Sequence, residues 1–211
     1  MKTATLPSFV GRDGIDYDAF PPPHPLFRAM KYTYATKLLH EGKIRLGRID
    51  VYKKQEERNL GQSDPREGTA ILLDHGNPHR ISGFLHTYIL CTSTAEADHR
   101  RLLEMDREYE TIVQINDPHE FAHRILESTK QFRSSYSVEC AHAVYDKGEA
   151  DLPRMADELD LSYRYNFQKD RGYSWQHEYR FAVTDLGHQC LFGQYMDLEL
   201  GCCKRLVKII R

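Results

Sequence analysis

The residues best suited to chemistry are three polar side chains at alternating positions, Gln176, Glu178 and Arg180. They lie in the segment 175–183, where aromatic and other strand-forming residues alternate and which therefore predicts a β-strand. Successive side chains of a strand point to opposite faces, so these three share one face. A carboxylate held in such a row can stabilise positive charge that develops in a reaction. The alternative is an exposed strand on which Glu178 only pairs with Arg180.

The sequence Gln176-His177-Glu178 resembles the Gln-x-Glu motif of mono-ADP-ribosyltransferases. The wider pattern Trp-x-x-Glu-Tyr-Arg, with Lys169 upstream, is similar to the C-terminal signature of bacterial families that we expect to share this fold. The resemblance implies an enzyme that takes NAD as its substrate, uses no metal and releases nicotinamide to leave a ribosyl cation. It implies that Glu178 and Gln176 are catalytic. The Glu178 carboxylate would accept a hydrogen bond from the ribose 2′-hydroxyl and stabilise the cation.

The beginning of the core predicts a strand, a helix and a second strand. The predicted elements are a strand at 26–32, a helix at 34–41 with Thr33 as N-cap and Gly42 as C-cap, and a strand at 43–49. This order is similar to the opening of ADP-ribosyltransferase folds, in which the first strand offers a basic or imidazole side chain to NAD. We assign that role to Arg28, because a guanidinium fork suits a pyrophosphate. The alternative is that Arg28 is a surface charge on an edge strand.

Hydroxyl groups end the predicted strand at 84–93. This end is similar to the Ser-Thr-Ser strand of the arginine–serine–glutamate class of these transferases, in which a hydroxyl keeps the catalytic glutamate and the nicotinamide ribose in register. The resemblance gives this role to Ser93 or Thr92, although hydroxyl-rich strand ends are also common without a function. Tyr32, Tyr34 and Tyr52 are the aromatic residues that we consider for stacking on nicotinamide, and the sequence does not rank them.

The acceptor of the transfer is predicted from Gln176. Family members that modify arginine usually carry a glutamate at this position, because a cationic guanidinium needs a carboxylate to orient and activate it. The amide of Gln176 suits a neutral acceptor, which leaves open a protein side chain or a nucleobase. Positive charges interleaved with an aromatic residue favour RNA or another single-stranded nucleic acid. These residues are Arg45, Arg48, Tyr52, Lys53, Lys54 and Arg58, and the alternative is a solvated loop balanced by Glu56 and Glu57.

The order of predicted elements indicates the α+β class. The resemblance implies an ADP-ribosyltransferase-like split, mixed β-sheet core with flanking helices. Residues 1–25 are predicted to be an extended N-terminal lead-in, because Gly11, Gly14 and five residues containing four prolines oppose both helix and strand. Residues 26–211 are predicted to form one catalytic domain. Further predictions are a strand hairpin turning at 76–78, a helix that begins at Asp117 and Pro118, and a helix within 150–170.

Composition limits the classes of protein that remain. The 29 Lys and Arg residues balance 31 Asp and Glu residues, which opposes a dedicated nucleic-acid-wrapping protein. Five cysteines without a Cys-x-x-Cys pair indicate neither a disulfide framework nor a zinc ribbon, so we expect a reducing, cytoplasmic setting. No membrane segment or signal peptide is predicted. No metal is expected either, because Gly76 and Pro78 prevent a helix that would bring His75 and His79 together.

Two other classes of function remain alongside the transferase. One is a metal-independent ribonuclease that uses histidine, lysine or arginine side chains. The other is a non-catalytic module that binds a partner through a tyrosine-rich sheet. If the chain is a transferase inside its own cell, analogy predicts a bacterial toxin or an anti-phage effector that a partner protein, such as an antitoxin, holds inactive.

Overall fold

The protein is an α+β protein with one large mixed sheet and few helices. The computed structural model describes residues 10–49, 51, 69–74, 77–82, 87–132, 135–145, 149–151, 166–186 and 193–210. The strands are β1 (Val10–Arg12), β2 (Ile15–Tyr17), β3 (Leu26–Met30), β4 (Lys43–Arg48), β5 (Thr69–Asp74), β6 (Asn77–Ser82), β7 (Thr87–Ser93), β8 (Thr111–Ile115), β9 (Tyr136–His142), β10 (Val144–Tyr145), β11 (Glu149–Asp151), β12 (Gln168–Lys169), β13 (Glu178–Asp185), β14 (Tyr195–Glu199) and β15 (Val207–Ile210). The helices are α1 (Tyr32–Glu41), α2 (His99–Glu104), α3 (Pro118–Thr129) and the 3₁₀-helix η1 (Arg171–Gln176). The predicted fold class, α+β, is therefore confirmed.

Strand β13 is the central strand of the sheet. It pairs along its length with β7 on one edge and with β9 on the other, both antiparallel. On one face Tyr179, Phe181 and Val183 join the larger hydrophobic core, which also contains residues of α1 and α3. Glu178, Arg180 and Ala182 occupy the other face and are also buried. A strand covered on both faces positions its polar side chains rigidly, which matters for the site described below.

Strand β13 begins three residues later than the predicted strand at 175–183. The preceding residues form η1, which Asp170 caps by accepting a hydrogen bond from the backbone N–H of Gly172 at 2.8 Å. His177 then adopts a left-handed conformation, with φ of 42°, and separates η1 from the strand. The prediction that Gln176 shares a strand face with Glu178 is therefore wrong. Side-chain capping of a tight turn overrides the alternating pattern at this end.

The sheet divides along one edge of β7. Near its beginning, Tyr88 and Ile89 pair with β4, whereas at its end Ser93 pairs with Phe27 of β3. Strand β13 occupies the opposite edge of β7 throughout. The strands β3, β8 and β15 thus diverge from β4 and β14 along that edge of β7. The opening between the two groups is where the candidate site lies.

The N-terminal segment contains a β-hairpin where we predicted an extended lead-in. Strands β1 and β2 are antiparallel, and β2 continues the main sheet by pairing in parallel with β9. The two residues between them, Asp13 and Gly14, have φ angles of 53° and 81°. Asp-Gly with two positive φ angles is the sequence signal of a tight type I′ hairpin turn. The prediction treated Gly14 only as a residue that opposes helix and strand, and it therefore missed this signal. The division of the chain into a lead-in and a domain at residue 26 stays a prediction.

Helix ends were predicted with mixed success. Asp117 caps α3 by accepting from the backbone N–H of Glu120, and Pro118 is the first helical residue, as predicted. Gly42 ends α1 in the left-handed conformation, and a Cβ there would lie 1.9 Å from the carbonyl oxygen of Gly201. The N-cap of α1 is Lys31, not Thr33. No helix in the described part of the chain is long and apolar enough to cross a membrane.

Two further predictions differ from the structure, one for the hairpin that contains β5 and one for the helix within 150–170. The partner of β5 in its hairpin is β6, and the predicted strand at 84–93 is the separate strand β7. Most of the helix predicted within 150–170 lies outside the described residues; Asn166 and Phe167 are helical, whereas Gln168 and Lys169 form the short strand β12. Strand β12 pairs in parallel with β10. This pairing places Lys169 beside the candidate site.

A buried acid on β9 should make the stability of the fold depend on pH. Glu139 is 9% exposed and pairs in register with Asp16 of β2. Burial, assisted by the charge of Asp16, raises the pKa of Glu139 from 4.5 to about 7. Between those values the folded protein holds a proton that the unfolded chain has lost, so raising the pH lowers the free energy of unfolding, by roughly 3 kcal/mol in total.

We therefore expect Glu139→Gln to stabilise the protein at pH 8 and to change little at pH 4.5. Thermal midpoints at both pH values measure the effect. Glu127→Gln, on the exposed face of α3, is the control and should move neither midpoint by a comparable amount. Equal pH dependence of the Glu139→Gln variant and the wild-type protein would contradict the assignment.

Candidate active site

A pocket of about 160 Å³ lies beside β7, where β3 diverges from β4. Five of the residues assigned from the sequence line it, namely Arg28, Thr92, Ser93, Gln176 and Glu178. The other described lining residues are Phe27, Ala29, Val51, Cys91, Leu102, Met105, Tyr109, Lys169 and Tyr195. Residues far apart in the chain therefore meet in one pocket.

Glu178 is held between two cations at the base of the pocket. Its side chain is 3% exposed, and its Oε2 lies 2.5 Å from the Nζ of Lys169. Arg180 donates from Nε to Oε1 at 2.7 Å. Burial by itself would raise the pKa of Glu178, but the charges of Arg180 and Lys169 outweigh it and hold the pKa well below its usual range. The carboxylate is therefore ionised at every physiological pH.

Hydrogen bonds made by Arg180 and Tyr145, on the side of Glu178 away from the pocket opening, fix the position of Glu178. Arg180 is fully buried, and its NH1 group donates to the carbonyl oxygen of Asn166 at 2.6 Å. The backbone N–H of Glu178 donates to the hydroxyl oxygen of Tyr145 at 2.8 Å. Burial, and then the charge of Glu178, raises the pKa of Tyr145 to about 12, so its hydroxyl stays neutral. The exposed ion pair considered as the alternative is not what forms, because both charges are buried.

Ser93 is the hydroxyl that lies beside Glu178. The two residues are directly opposite each other in the antiparallel pair of β7 and β13, so their side chains share a face of the sheet. Thr92 is opposite Tyr179, and its hydroxyl donates to the Tyr179 carbonyl oxygen at 2.6 Å. Thr92 therefore helps to hold the two strands together. The structure favours Ser93 for the positioning role that the sequence left open between them.

Arg28 links β3 to β7 at the opening of the sheet. Its NH1 group donates to the backbone carbonyl oxygen of Cys91 on β7. The neighbouring residue Phe27 pairs with Ser93, which itself pairs with Glu178. Arg28, Ser93 and Glu178 therefore come from three adjacent strands. Arg28 is not a free surface charge on an edge strand.

Among the described residues, the tyrosines that line the pocket were not assigned from the sequence. Tyr32 begins α1, is 40% exposed and is not part of the pocket wall. Tyr34 is 53% exposed on the same helix, and Tyr52 lies outside the described residues. Tyr109 and Tyr195 line the pocket instead. No local pattern distinguished them, since their place depends on how β8 and β14 are paired in the sheet.

Gln176 reaches the pocket by a different route from the one predicted. It is the last residue of η1, is 2% exposed, and its side-chain amide lies 3.9 Å from the sulfur of Met105. Lys169 and Cys91 are also pocket residues that the sequence did not assign a role. Alternation along β7 could have indicated Cys91, which is two residues from Ser93. Lys169 depends on the parallel pairing of β10 and β12, which has no local signal.

The predicted basic segment is only partly described. Arg45 forms two hydrogen bonds with the carboxylate of Asp197, at 2.7 and 2.9 Å, so its charge is balanced. Tyr52, Lys53, Lys54 and Arg58 lie outside the described residues. The argument for a nucleic-acid acceptor therefore has to come from the pocket itself.

The chain was compared with models of known protein families, with curated proteins and with solved structures. None of the three comparisons gives a match.

Proposed function

We propose that the protein is an NAD-dependent mono-ADP-ribosyltransferase with the split-sheet fold of that family. The observation that carries the proposal is the register across three strands, in which Phe27 pairs with Ser93 and Ser93 pairs with Glu178. Arg28, the next residue of β3, lines the same pocket as Ser93 and Glu178, which supports an arginine, a serine and a glutamate acting on one ligand. The division of the sheet at β7 supplies the cleft.

The proposed reaction breaks the bond between ribose C1′ and the nicotinamide nitrogen. The electron pair leaves with nicotinamide, and positive charge develops on the ribose ring. The ionised carboxylate of Glu178 stabilises that charge and accepts a hydrogen bond from the 2′-hydroxyl. A carboxylate offers about four acceptor positions, of which Lys169, Arg180 and the thiol of Cys91 each use one. The acceptor then attacks C1′ and loses its proton.

The charges of the pocket favour a phosphate-bearing ligand. Among the described residues, Arg28 and Lys169 line the pocket and Arg180 lies behind it, against the carboxylate of Glu178. Arginine and lysine are the common partners of phosphate groups. The pocket is smaller than the roughly 300–1,000 Å³ of a typical ligand site, so it suits the nicotinamide and ribose end of NAD. The diphosphate would lie at its mouth, near Arg28.

RNA is the acceptor that we propose. Gln176 contributes an amide to the pocket, in the place where a carboxylate would be needed to activate a guanidinium. A polyanionic acceptor is also favoured by the excess of positive charge around Glu178. A protein side chain is the alternative acceptor. An enzyme of this kind would act as a toxin or an anti-phage effector, kept inactive by a partner protein.

A ribonuclease is the second candidate, because Lys169 and Glu178 are in direct contact. A lysine and a carboxylate at 2.5 Å could share acid and base roles in cleaving a phosphodiester, and Arg28 could stabilise the developing anion. The low pKa of Glu178 makes it a weak base, however, and favours a purely electrostatic role. We therefore rank the ribonuclease below the transferase.

NAD carrying labelled phosphate tests the proposal against both alternatives. The purified protein is incubated with the label and either cellular RNA or cellular protein. Label on RNA is the expected result, and label only on protein would replace RNA as the acceptor while keeping the transferase. Cleavage of RNA without NAD, with no transfer of label, would overturn the transferase in favour of the ribonuclease.

Arg28→Lys should weaken NAD binding about tenfold or more. Lysine keeps the charge but loses the two-pronged geometry that suits a diphosphate. It also loses the bond to the Cys91 carbonyl oxygen, so we expect a small fall in thermal midpoint as well. Calorimetry with NAD measures the affinity. Arg45→Lys, in an exposed ion pair, is the matched control. Unchanged affinity in the Arg28→Lys variant would remove Arg28 from the binding site.

A further inference from the structure

Three metal-binding side chains meet far from the pocket, where the N-terminal hairpin contacts α3. The carboxylate Oδ2 of Asp13 lies 3.7 Å from the Nε2 of His119 and 3.9 Å from the Nε2 of His123. All three ligand atoms lie within 4.8 Å of one another. Neither the candidate pocket nor the proposed transfer reaction uses any of them.

Local structure brings the three side chains together. His119 and His123 are four residues apart in the first turns of α3, so they lie on the same face of the helix. Asp13 occupies the tight turn between β1 and β2, and its left-handed conformation places it at the tip of the hairpin. Pairing of β2 with β9 fixes the hairpin beside the helix.

We propose that Asp13, His119 and His123 bind a zinc ion. Two imidazole nitrogens and one carboxylate oxygen form a donor set that zinc prefers. Zinc–ligand bonds of about 2.0–2.1 Å in a tetrahedron place neighbouring ligand atoms about 3.3 Å apart. The separations from Asp13 to the two histidines are about half an ångström longer, and all three ligand atoms lie within 4.8 Å of one another, so side-chain rotations that draw them together would close the site.

A hydrogen bond from Tyr17 orients the His119 ring for metal binding. The hydroxyl of Tyr17, a fully buried residue of β2, lies 2.7 Å from the Nδ1 of His119. A hydrogen bond at one ring nitrogen orients the imidazole and leaves the other, here Nε2, for the metal. The side chains of Asp13, His119 and His123 are 64%, 30% and 33% exposed, so an ion and a water molecule as fourth ligand can reach them.

The ion would fasten the hairpin to α3. The sequence His119-Glu120-Phe121-Ala122-His123 has the His-Glu-x-x-His spacing of zinc peptidases, in which the glutamate is the general base. In this protein Glu120 pairs with Arg124 at 2.8 Å, and Arg124 also donates to the carbonyl oxygen of Cys202. Glu120 is thereby tied to the C-terminal part of the chain. We therefore assign a structural role to the ion and no peptidase chemistry.

Titration of the metal-depleted full-length protein with zinc chloride tests the site. We expect one ion per chain, and a visible absorption spectrum typical of four-coordinate cobalt when Co²⁺ replaces Zn²⁺. His123→Gln and Asp13→Asn should each weaken zinc binding about 100-fold or more, since loss of even an outer-shell partner costs 10–100-fold. Zinc should also slow hydrogen exchange of the amides in β1 and β2.

Two control variants distinguish zinc binding at this site from zinc binding elsewhere on the protein. His40→Gln removes an exposed helical histidine elsewhere, and Glu120→Gln removes the glutamate of the motif; both should bind zinc like the wild-type protein. Zinc affinity that is unchanged in His123→Gln and in Asp13→Asn would overturn the proposal. So would the absence of stoichiometric binding to the wild-type protein. Neither result depends on NAD, so the test is independent of the proposed transferase.

Discussion

Glu178→Gln should lower the rate of ADP-ribose transfer about 10²–10³-fold. The variant keeps the size of the side chain but removes the negative charge beside the ribose, and losing one such electrostatic contact typically has an effect of this size. Initial rates of label transfer from NAD to RNA measure it. NAD affinity should change much less, because the charge acts mainly in the transition state.

The control for this variant must allow for the two cations that contact Glu178. Removing the carboxylate leaves Lys169 and Arg180 without their counter-charge in a buried place, so the variant should also be less stable. The double variant Lys169→Met/Glu178→Gln removes one of those cations and should recover part of the stability but none of the activity. Glu139→Gln neutralises a buried glutamate outside the pocket and should keep full activity. Transfer at nearly the wild-type rate by a folded Glu178→Gln protein would contradict the role of Glu178.

Arg180→Met should lower the free energy of unfolding by about 3–5 kcal/mol. Breaking a buried ion pair by removing one partner has a cost of this order, because the other charge, here that of Glu178, stays buried with only Lys169 to compensate it. The Asn166 carbonyl oxygen would lose its donor as well. Urea denaturation followed by a spectroscopic signal measures the difference, provided that the slope of the transition is unchanged.

Arg45→Met provides the comparison for Arg180→Met. Arg45 also pairs with a carboxylate through two hydrogen bonds, but its side chain is 59% exposed. Exposed pairs contribute about 0–1 kcal/mol, so this variant should be nearly as stable as the wild-type protein. If the two variants lost similar amounts of stability, the buried network around Glu178 would not be a structural element of β13.

The central strand and the site were partly predictable because the relevant signals are local. Aromatic alternation identified β13, and the caps Gly42 and Asp117 identified two helix ends, since each depends on a few neighbouring residues. The chemistry of Arg28, Ser93 and Glu178 could be assigned by resemblance before their strands were known to be adjacent. Long-range pairing then decided which hydroxyl stands beside the carboxylate, and a sequence pattern does not contain that information.

Three structural features were not predicted from the sequence. For two of them a local signal was present but was misread, and the third depends on a contact that the sequence does not show. Asp170 and Gly172 start a 3₁₀-helix, so Gln176 enters the pocket from η1 and not from a strand. Asp13-Gly14 is a hairpin turn signal, which the prolines that follow obscured. The spacing of His119 and His123 is visible in the sequence, in a segment from which only a helix was predicted. Their significance depends on Asp13, which only the tertiary fold brings near.

Release of nicotinamide from NAD is the measurement that tests the central claim most directly. It reports cleavage of the glycosidic bond whichever acceptor is modified, and chromatography separates nicotinamide from NAD. With cellular RNA present, we predict that the wild-type protein releases nicotinamide in step with the label that RNA gains, and that Glu178→Gln releases it at least about 100-fold more slowly. If the folded wild-type protein releases no nicotinamide with either RNA or cellular protein as acceptor, the pocket around Glu178 is not an ADP-ribosyltransferase active site.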